Sequence, residues 1–257
     1  MSLRRSSAIL RHEMRVMLTD PSTVIFVILM PLLMVALMKQ LFANTLAQEG
    51  FTGTNGSEFA VPGMAVSFAA FSVGYAGFSF FRDHGWGTWD RLRASPATSA
   101  DLMVGKVLPT VGVSVVQLGV LFLLGGPLFG LTITGSVAGV VLLIIVLALA
   151  LSAFGMLVTA MARTMNQLNA IGSVGGMAMS MVGGSFVPVS AMPGWAQAVA
   201  PAMPTYWAMK GFRSLILEHG GLADVLGPVL VLAGFGVVFT GLAAWRFRFE
   251  ETKVYWG

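Results

Sequence analysis

Residues 79–106 read SFFRDHGWGTWDRLRASPATSADLMVGK, a charged, tryptophan-bearing segment that lies between two long apolar runs. Its seven charged side chains are Arg82, Asp83, Asp90, Arg91, Arg93, Asp101 and Lys106. The rest of the chain is apolar: 56% of the 257 residues are hydrophobic, only 10% are charged, and the mean hydropathy is +0.82. Ordinary soluble domains carry roughly 25% charged residues. The sequence therefore predicts an integral membrane protein in which this segment joins two membrane-spanning helices.

Six stretches are long enough to cross a bilayer, which takes about 20 apolar residues of helix. They are residues 22–42, 59–81, 102–124, 137–161, 168–187 and 225–245. We expect an all-α, polytopic protein that forms a single transmembrane domain over residues 1–257. Twelve of the fifteen Lys and Arg residues then lie on the side of the two termini, against Lys39, Lys210 and Arg213 on the other side. Because positive charge concentrates in cytoplasmic connections, both termini and residues 82–101 are predicted to be cytoplasmic.

The segment before the first span, residues 4–18, has the pattern of an amphipathic helix. Arg4, Arg11 and Arg15 share one helical stripe, while Leu10 and Met14 lie on another. A helix of this kind lies in the membrane interface. An ordinary basic leader is the alternative interpretation.

The connection between the fifth and sixth spans, residues 188–224, is much longer than most loops. We expect two short helices here at the outer surface, dipping into the bilayer as re-entrant helices, with the second running from Tyr206 to about His219. Lys210 and Arg213, three residues apart, share its wet face. The connection is marked by prolines and by aromatic residues suited to headgroup depth: Pro188, Pro193, Pro201, Pro204, Trp195, Tyr206 and Trp207.

The spans carry no sign of an energy source of their own. No predicted span has an acidic residue or histidine in its interior, and Lys39 and Lys106 are expected to reach water from the span ends, so an ion relay is not predicted. The chain lacks the G-x-x-x-x-G-K-[ST] motif that holds ATP phosphates, since Gly105-Lys106 is followed by Val107. With no cysteine and three histidines on separate segments, no metal site is expected. Energy must therefore enter from another polypeptide, through residues 82–101.

Residues 86–95 can form a short helix that ends before Pro96, because a proline disfavours helical geometry in the residue before it. In this helix Trp89 and Arg93 lie four residues apart on one face, and such residues are suitable anchors for a docking pocket. The alternative, which this window alone leaves open, is an interfacial helix with Trp86 and Trp89 at the headgroups.

The same segment resembles the membrane permeases of ABC type-2 exporters, and most closely the multidrug and daunorubicin-resistance branch. That family typically shows Glu-Arg-Glu, Gly-Thr, Leu-Arg, a proline and a lysine that opens the third span. The corresponding residues here are Arg82-Asp83, Gly87-Thr88, Leu92-Arg93, Pro96 and Lys106, with Phe81 in place of the first Glu and Asp83 in place of the second. A second match is Gly183-Gly184, Pro188, Pro193-Gly194-Trp195, Pro204 and Arg213.

The resemblance implies a half-transporter in the plasma (inner) membrane of a prokaryote. Two permease copies, or this chain and a close paralogue, would each dock on a separate ATPase subunit that carries ATP and Mg; this chain would bind no cofactor, metal or nucleic acid. The residues implied in coupling to the ATPase are Arg82, Asp83, Gly87, Thr88, Trp89, Asp90, Leu92, Arg93 and Pro96. The residues implied in an extracellular gate are Pro188, Pro193, Trp195, Pro204 and Arg213.

The cargo is expected to be amphiphilic, drug-like or lipid-like, because spans lined by Met, Phe, Leu and Gly without buried charge offer no ligands to a hydrated ion. Relatives of the same architecture export polysaccharides, so a polysaccharide cargo also stays open. Outward transport is implied by the family alone. Two other functions stay open: an energy-independent channel or membrane scaffold, and an intramembrane enzyme.

Overall fold

The computed structural model describes residues 22–51, 53–88, 94 and 99–246, and the regular secondary structure in these ranges is helical. The predicted interfacial helix over residues 4–18 lies outside the described residues. The described α-helices are α1 (Ser22–Gln48), α2 (Ser57–Phe71), α3 (Gly74–Gly85), α4 (Ser99–Phe129), α5 (Val137–Met161), α6 (Met165–Val182), α7 (Gly194–Val199), α8 (Pro204–Leu217) and α9 (Leu226–Arg246). The prediction of an all-α, polytopic membrane protein is confirmed.

Four helical segments of the described chain are long and apolar enough to cross a membrane: Val27–Gln48, Gly105–Phe129, Val137–Met161 and Ala223–Arg246. They coincide with the first, third, fourth and sixth predicted spans. The second predicted span falls on α2 and α3, and the fifth falls on α6, which do not meet the same criterion of length and composition. The count of six spans stays a prediction.

The second predicted span is interrupted in the structure at Ser72 and Val73, between α2 and α3. Both the backbone N–H and the hydroxyl of Ser72 donate to the carbonyl oxygen of Phe68, at 3.0 and 2.8 Å. The chain on both sides of the interruption packs closely against α6. On α6, Gly172 approaches the backbone of Gly74, and Gly176 lies so close to the carbonyl group of Ala70 that a methyl group there would collide with it.

Helix α5 is the centre of the bundle and packs against α3, α4, α8 and α9. Within its most apolar window 56% of the residues are buried, against 22% for α1 and for the span that includes α9. One stripe of α5, Leu143, Leu147 and Leu151, is almost fully buried. The outer helices expose apolar side chains instead: α1 presents Leu29, Leu33, Leu37 and Leu41, four residues apart. Exposed apolar surface of this extent is typical of contact with lipid or with another membrane protein.

Three connections meet at one end of the bundle. The side-chain amide of Asn55, between α1 and α2, donates to the carbonyl oxygen of Phe129 at 3.1 Å. The hydroxyl of Thr134, between α4 and α5, donates to the carbonyl oxygen of Ile216 on α8 at 2.9 Å. These are the three connections that alternation of the spans predicts on the outer side, so this end is called the predicted outer end, and the end with the α3–α4 connection is called the predicted inner end.

The connection between α6 and α9 contains the two helices α7 and α8 and three short 3-10 turns. Helix α8 begins at Pro204 and ends at Leu217, slightly before the expected limits at both ends. Proline begins a helix well because its fixed φ is helical and its missing N–H needs no partner there. Beyond the end of α8, His219 has a left-handed backbone, with φ of 55°.

Candidate functional site

The first candidate site is at the predicted inner end, where α3 and α4 flank the charged connection. The Lys106 ammonium lies 2.5 Å from Asp83 Oδ2 and donates a second hydrogen bond to the Ser79 carbonyl oxygen at 3.1 Å. It also lies 5.1 Å from the centre of the Phe80 ring. The Lys106 side chain is 1% exposed and that of Asp83 is 10% exposed. This ion pair therefore joins α3 to α4 in a nearly dry environment.

Asp83 also holds the start of the connection that follows α3. The Thr88 hydroxyl donates to Asp83 Oδ1 at 3.0 Å, and the Thr88 backbone N–H donates to the Asp83 carbonyl oxygen at 3.0 Å. Gly87 makes this turn possible, because its φ of 68° lies in the left-handed region that glycine adopts readily. Asp83, Thr88 and Lys106 form one unit, which we call the Lys106 cluster.

The structure overturns two expectations about this end. Lys106 does not reach water but is buried and paired with Asp83, so the expectation that the spans contain no buried charge is wrong here. The charged connection is also shorter than the predicted loop over residues 82–101, because α3 continues to Gly85 and α4 begins at Ser99. The first charge of the segment does not mark the end of the helix, because Arg82 and Asp83 are buried within the last turn of α3.

Of the predicted coupling residues, the structure describes the first four. Asp83, Gly87 and Thr88 are brought together as above, and the Arg82 guanidinium lies 5.5 Å from the centre of the Trp86 ring. The others lie outside the described residues, as do the three arginines of the predicted interfacial helix: Trp89, Asp90, Leu92, Arg93, Pro96, Arg4, Arg11 and Arg15.

The second candidate site is at the predicted outer end and is centred on Arg213 of α8. Its Nη1 lies 2.8 Å from Glu49 Oε2, and its Nε lies 3.4 Å from Glu218 Oε1. The guanidinium also lies 5.0 Å from the centre of the Phe51 ring. The hydroxyl of Ser190 donates to the other oxygen of Glu49. Glu49, Ser190, Arg213 and Glu218, which we call the Arg213 cluster, thus tie the end of α1 to α8.

The other predicted gate residues lie in the same connection between α6 and α9. Pro188 precedes a 3-10 turn that contains Ser190, Pro193 precedes α7, and Pro204 begins α8. Trp195 is 68% exposed on α7. No sequence motif marks Glu49, an acidic residue seven positions beyond the first predicted span, on the side that carries few cations; that placement is the available signal.

A cavity of about 480 Å³ opens beside the Arg213 cluster. A second cavity, of about 550 Å³, is lined almost wholly by apolar residues of α4, α5 and α9, among them Val107, Ala153 and Gly236. In the described ranges no group of three or more Asp, Glu, His or Cys residues is placed to hold a metal ion.

The chain is similar in sequence to a family of transporter membrane proteins and to several of its known members. The family model described as ABC-2 type transporter matches residues 5–217. The chain is 31% identical over 162 residues to the linearmycin resistance permease protein LnrN of Bacillus subtilis. The aligned residues make up 62% of this chain and 42% of that relative. It is 28% identical over 248 residues to the daunorubicin resistance ABC transporter permease protein DrrB1 of Streptomyces coeruleorubidus, covering 94% of this chain and 86% of that relative.

A third relative is the probable multidrug ABC transporter permease YbhR of Escherichia coli K12, 27% identical over 170 residues, 65% of this chain and 45% of that relative. The chain therefore spans less than half the length of LnrN and of YbhR, and most of the length of DrrB1. The apolar helices and these relatives make it a multi-pass membrane protein, and the bacterial relatives support a prokaryotic plasma membrane. Because the family match extends over most of the sequence, the chain belongs to the ABC-2 type transporter membrane family.

Proposed function

We propose that the chain is the transmembrane subunit of an ATP-driven exporter that moves an amphiphilic, drug-like or lipid-like substrate outward. A separate ATPase subunit, with its own ATP and Mg, supplies the energy. The proposal is supported by the family and by two relatives whose names state resistance to linearmycin and to daunorubicin. The structural observation that carries it is the Lys106 cluster at the base of the predicted coupling segment.

The Lys106 cluster has the geometry that a transmitter needs. The Asp83 carboxylate binds Thr88, at the start of the segment, through one oxygen and binds Lys106 of α4 through the other. A force applied to the segment is therefore delivered to α3 and α4 as a pair. Breaking the pair would leave a charge in a low-dielectric environment, which is strongly unfavourable, so the two helices stay joined during the movement.

The proposed roles of the remaining residues follow this geometry. Trp89 and Arg93, with Asp90, Leu92 and Pro96, form the surface that docks on the ATPase, and the amphipathic helix of Arg4, Arg11 and Arg15 lies beside it. At the other end, α7, α8 and the prolines that bound them close the exit from the route. A second permease copy or a close paralogue completes the transporter.

The test uses the full chain co-purified with the ATPase encoded beside it. Trp89→Ala and Arg93→Ala are expected to lower the ATP turnover of the complex at least several-fold, since each removes a docking anchor. Trp245→Ala, at a tryptophan that is 83% exposed on α9, and Arg163→Ala are the matched controls, because they remove the same residue types from surfaces outside the coupling segment. Unchanged ATP turnover in both coupling variants would exclude the docking role.

A second measurement separates an exporter from the alternative of an energy-independent channel or scaffold. Vesicles that contain the complex are expected to accumulate a fluorescent amphiphile only when ATP is present. Ion conductance by the purified chain alone, with no dependence on ATP, would support the channel instead.

A further inference from the structure

The cavity at the predicted outer end carries an inference beyond the transport cycle. We infer that it binds the headgroup of a zwitterionic membrane lipid, one that carries both a phosphate and a primary ammonium group, as phosphatidylethanolamine does. The cavity has a volume of about 480 Å³ and lies between α2, the Gly183–Ser190 segment, α8 and the start of α9.

Charges of both signs line this cavity in a fixed order. Lys210 and Arg213 lie one turn apart on α8, and Glu218 and Asp224 follow beyond the end of that helix. Arg213 and Glu218 are paired with each other, and Asp224 Oδ2 accepts a hydrogen bond from the Gly221 N–H. A dipolar headgroup offers a partner to charges of both signs when its phosphate lies toward Lys210 and its ammonium lies toward Glu218.

The charges on the rim are exposed enough to take up a ligand. Glu218 is paired with Arg213 at 3.4 Å, a long contact, and its side chain is 53% exposed. The Lys210 ammonium lies 5.2 Å from the centre of the Trp207 ring, and Lys210 is an exposed residue. Arg213 is already bound by Glu49, so Lys210 is the principal cation for a phosphate.

The floor of the cavity is apolar, and aromatic residues of α8 lie near it. Phe59, Met209 and Pro228, all buried, line it alongside the charged residues. Trp207 and Tyr206 pack edge to face on the same helix, and the Trp207 indole N–H donates to the Pro201 carbonyl oxygen at 2.9 Å. Aromatic side chains of this kind concentrate at the membrane interface. A charged rim over an apolar floor suits a headgroup with the first part of its acyl chains.

The mixed charge also argues against simpler ligands. A purely anionic headgroup would face Glu218 and Asp224, and a purely cationic one would face Lys210. Like charges brought together at an interface are unfavourable, so each of these ligands binds less well than one that carries both signs.

The experiment is native mass spectrometry of the purified full chain. The chain in detergent is mixed with a limiting amount of one lipid at a time, and the fraction of chain that retains the lipid after the detergent is removed is measured. Phosphatidylethanolamine and phosphatidylglycerol share the phosphate, and only the first has an ammonium group. We expect about fivefold greater retention of phosphatidylethanolamine, as one partly exposed ion pair would give. Free phosphoethanolamine is expected to compete poorly, because it lacks the chains that contact the floor.

Two substitutions in the cavity are expected to change the retention of the two lipids in different ways. Lys210→Gln is expected to lower the retention of both lipids. Glu218→Gln is expected to remove the preference, lowering retention of phosphatidylethanolamine while raising that of phosphatidylglycerol. Loss of folding cannot produce this rise. Lys39→Gln, which removes a cation from the same side of the membrane without lining the cavity, is the matched control and is expected to change neither value.

Three results would overturn the inference. They are equal retention of the two lipids by the native chain, equal effects of Lys210→Gln and Lys39→Gln, and binding of free phosphoethanolamine as tight as that of the lipid. None of these outcomes depends on the proposed function, because the assay contains neither an ATPase nor a transport substrate.

Discussion

The two ends of the molecule each hold opposite charges that join separate helices, and the two sets of charges differ in their access to water. In the Lys106 cluster the cation is 1% exposed and its carboxylate partner 10% exposed. In the Arg213 cluster the cation is 35% exposed, and its partners Glu49 and Glu218 are 15% and 53% exposed. The first is therefore a fixed joint between α3 and α4, and the second is an adjustable contact.

The physics of desolvation explains the difference. A buried ion pair contributes little net stability compared with apolar residues, but removing one partner leaves the other charge without compensation. An exposed pair gains little, because water and salt screen it. The two clusters should respond to substitution by different amounts, and in different ways to salt.

Lys106→Ala is expected to have the largest effect. It leaves the Asp83 carboxylate buried with no cation, and the expected loss in the free energy of unfolding is about 3–5 kcal/mol. The measurement is SDS titration of the purified chain in mixed micelles, followed by circular dichroism.

Two further variants test the prediction for Lys106→Ala. One is a double variant that also removes Asp83, and the other is a substitution of an exposed lysine. Asp83→Ala combined with Lys106→Ala should lose less than the Lys106 variant alone, because no charge is left unpaired. Lys210→Ala, at an exposed site, should change the stability by no more than about 0.5 kcal/mol. A double variant that is less stable than the single one would contradict a buried pair.

Thr88→Val is expected to have the next largest effect. It removes the hydrogen bond to Asp83 Oδ1 while leaving the ion pair intact, and the expected loss of stability is about 0.5–1.5 kcal/mol. Because this bond orients the coupling segment in our proposal, ATP turnover by the complex with the ATPase should also fall.

Thr134→Val is the control for Thr88→Val. It removes a hydrogen bond of similar length, to the Ile216 carbonyl oxygen at 2.9 Å, from the predicted outer end. Its loss of stability should be similar, with ATP turnover unchanged. If both variants lowered ATP turnover equally, Thr88 would have no special part in coupling.

Arg213→Ala is expected to have the smallest effect, a loss of about 1 kcal/mol or less at low salt. The loss should shrink further in roughly 1 M salt, where the Debye length is only about 3 Å. The same SDS titration at both salt concentrations provides the measurement. The loss caused by Lys106→Ala should not depend on salt, and equal salt dependence at the two ends would remove the distinction between them.

The local sequence pattern was sufficient to predict a helix whose limits are set by the residues beside it. The predicted span over residues 137–161 has the same limits as α5, because Ser136 caps its first turn by accepting a hydrogen bond from the Gly139 N–H, and the uninterrupted apolar run then ends at Ala162 and Arg163. The break between α2 and α3 could not be predicted in the same way. It carries no proline, and it lies where Gly172 and Gly176 approach closely from a helix much later in the chain, a contact that the local sequence does not report.

In the candidate sites, likewise, some features could be predicted from the sequence and some could not. The charged connection could be recognised because it departs from the apolar composition of the chain. Lys106 could be recognised from the family resemblance as the lysine that opens the third span. The pairing of Lys106 with Asp83 depends on how two antiparallel helices are aligned, and sequence distance does not report that alignment. Glu49 and Arg213, 164 positions apart, meet only because the end of α1 and helix α8 come together at one face of the bundle.

The interruption at Ser72 and Val73 also bears on how a displacement at the charged connection would spread. Helix α3, below the interruption, is fastened to α4 by the Asp83–Lys106 pair. Helix α4 itself is continuous and runs to Phe129, whose carbonyl oxygen accepts a hydrogen bond from Asn55 at the predicted outer end. A displacement of the charged connection would therefore reach the far end of the bundle along α4, while the two non-helical residues separate α2 from the direct movement of α3.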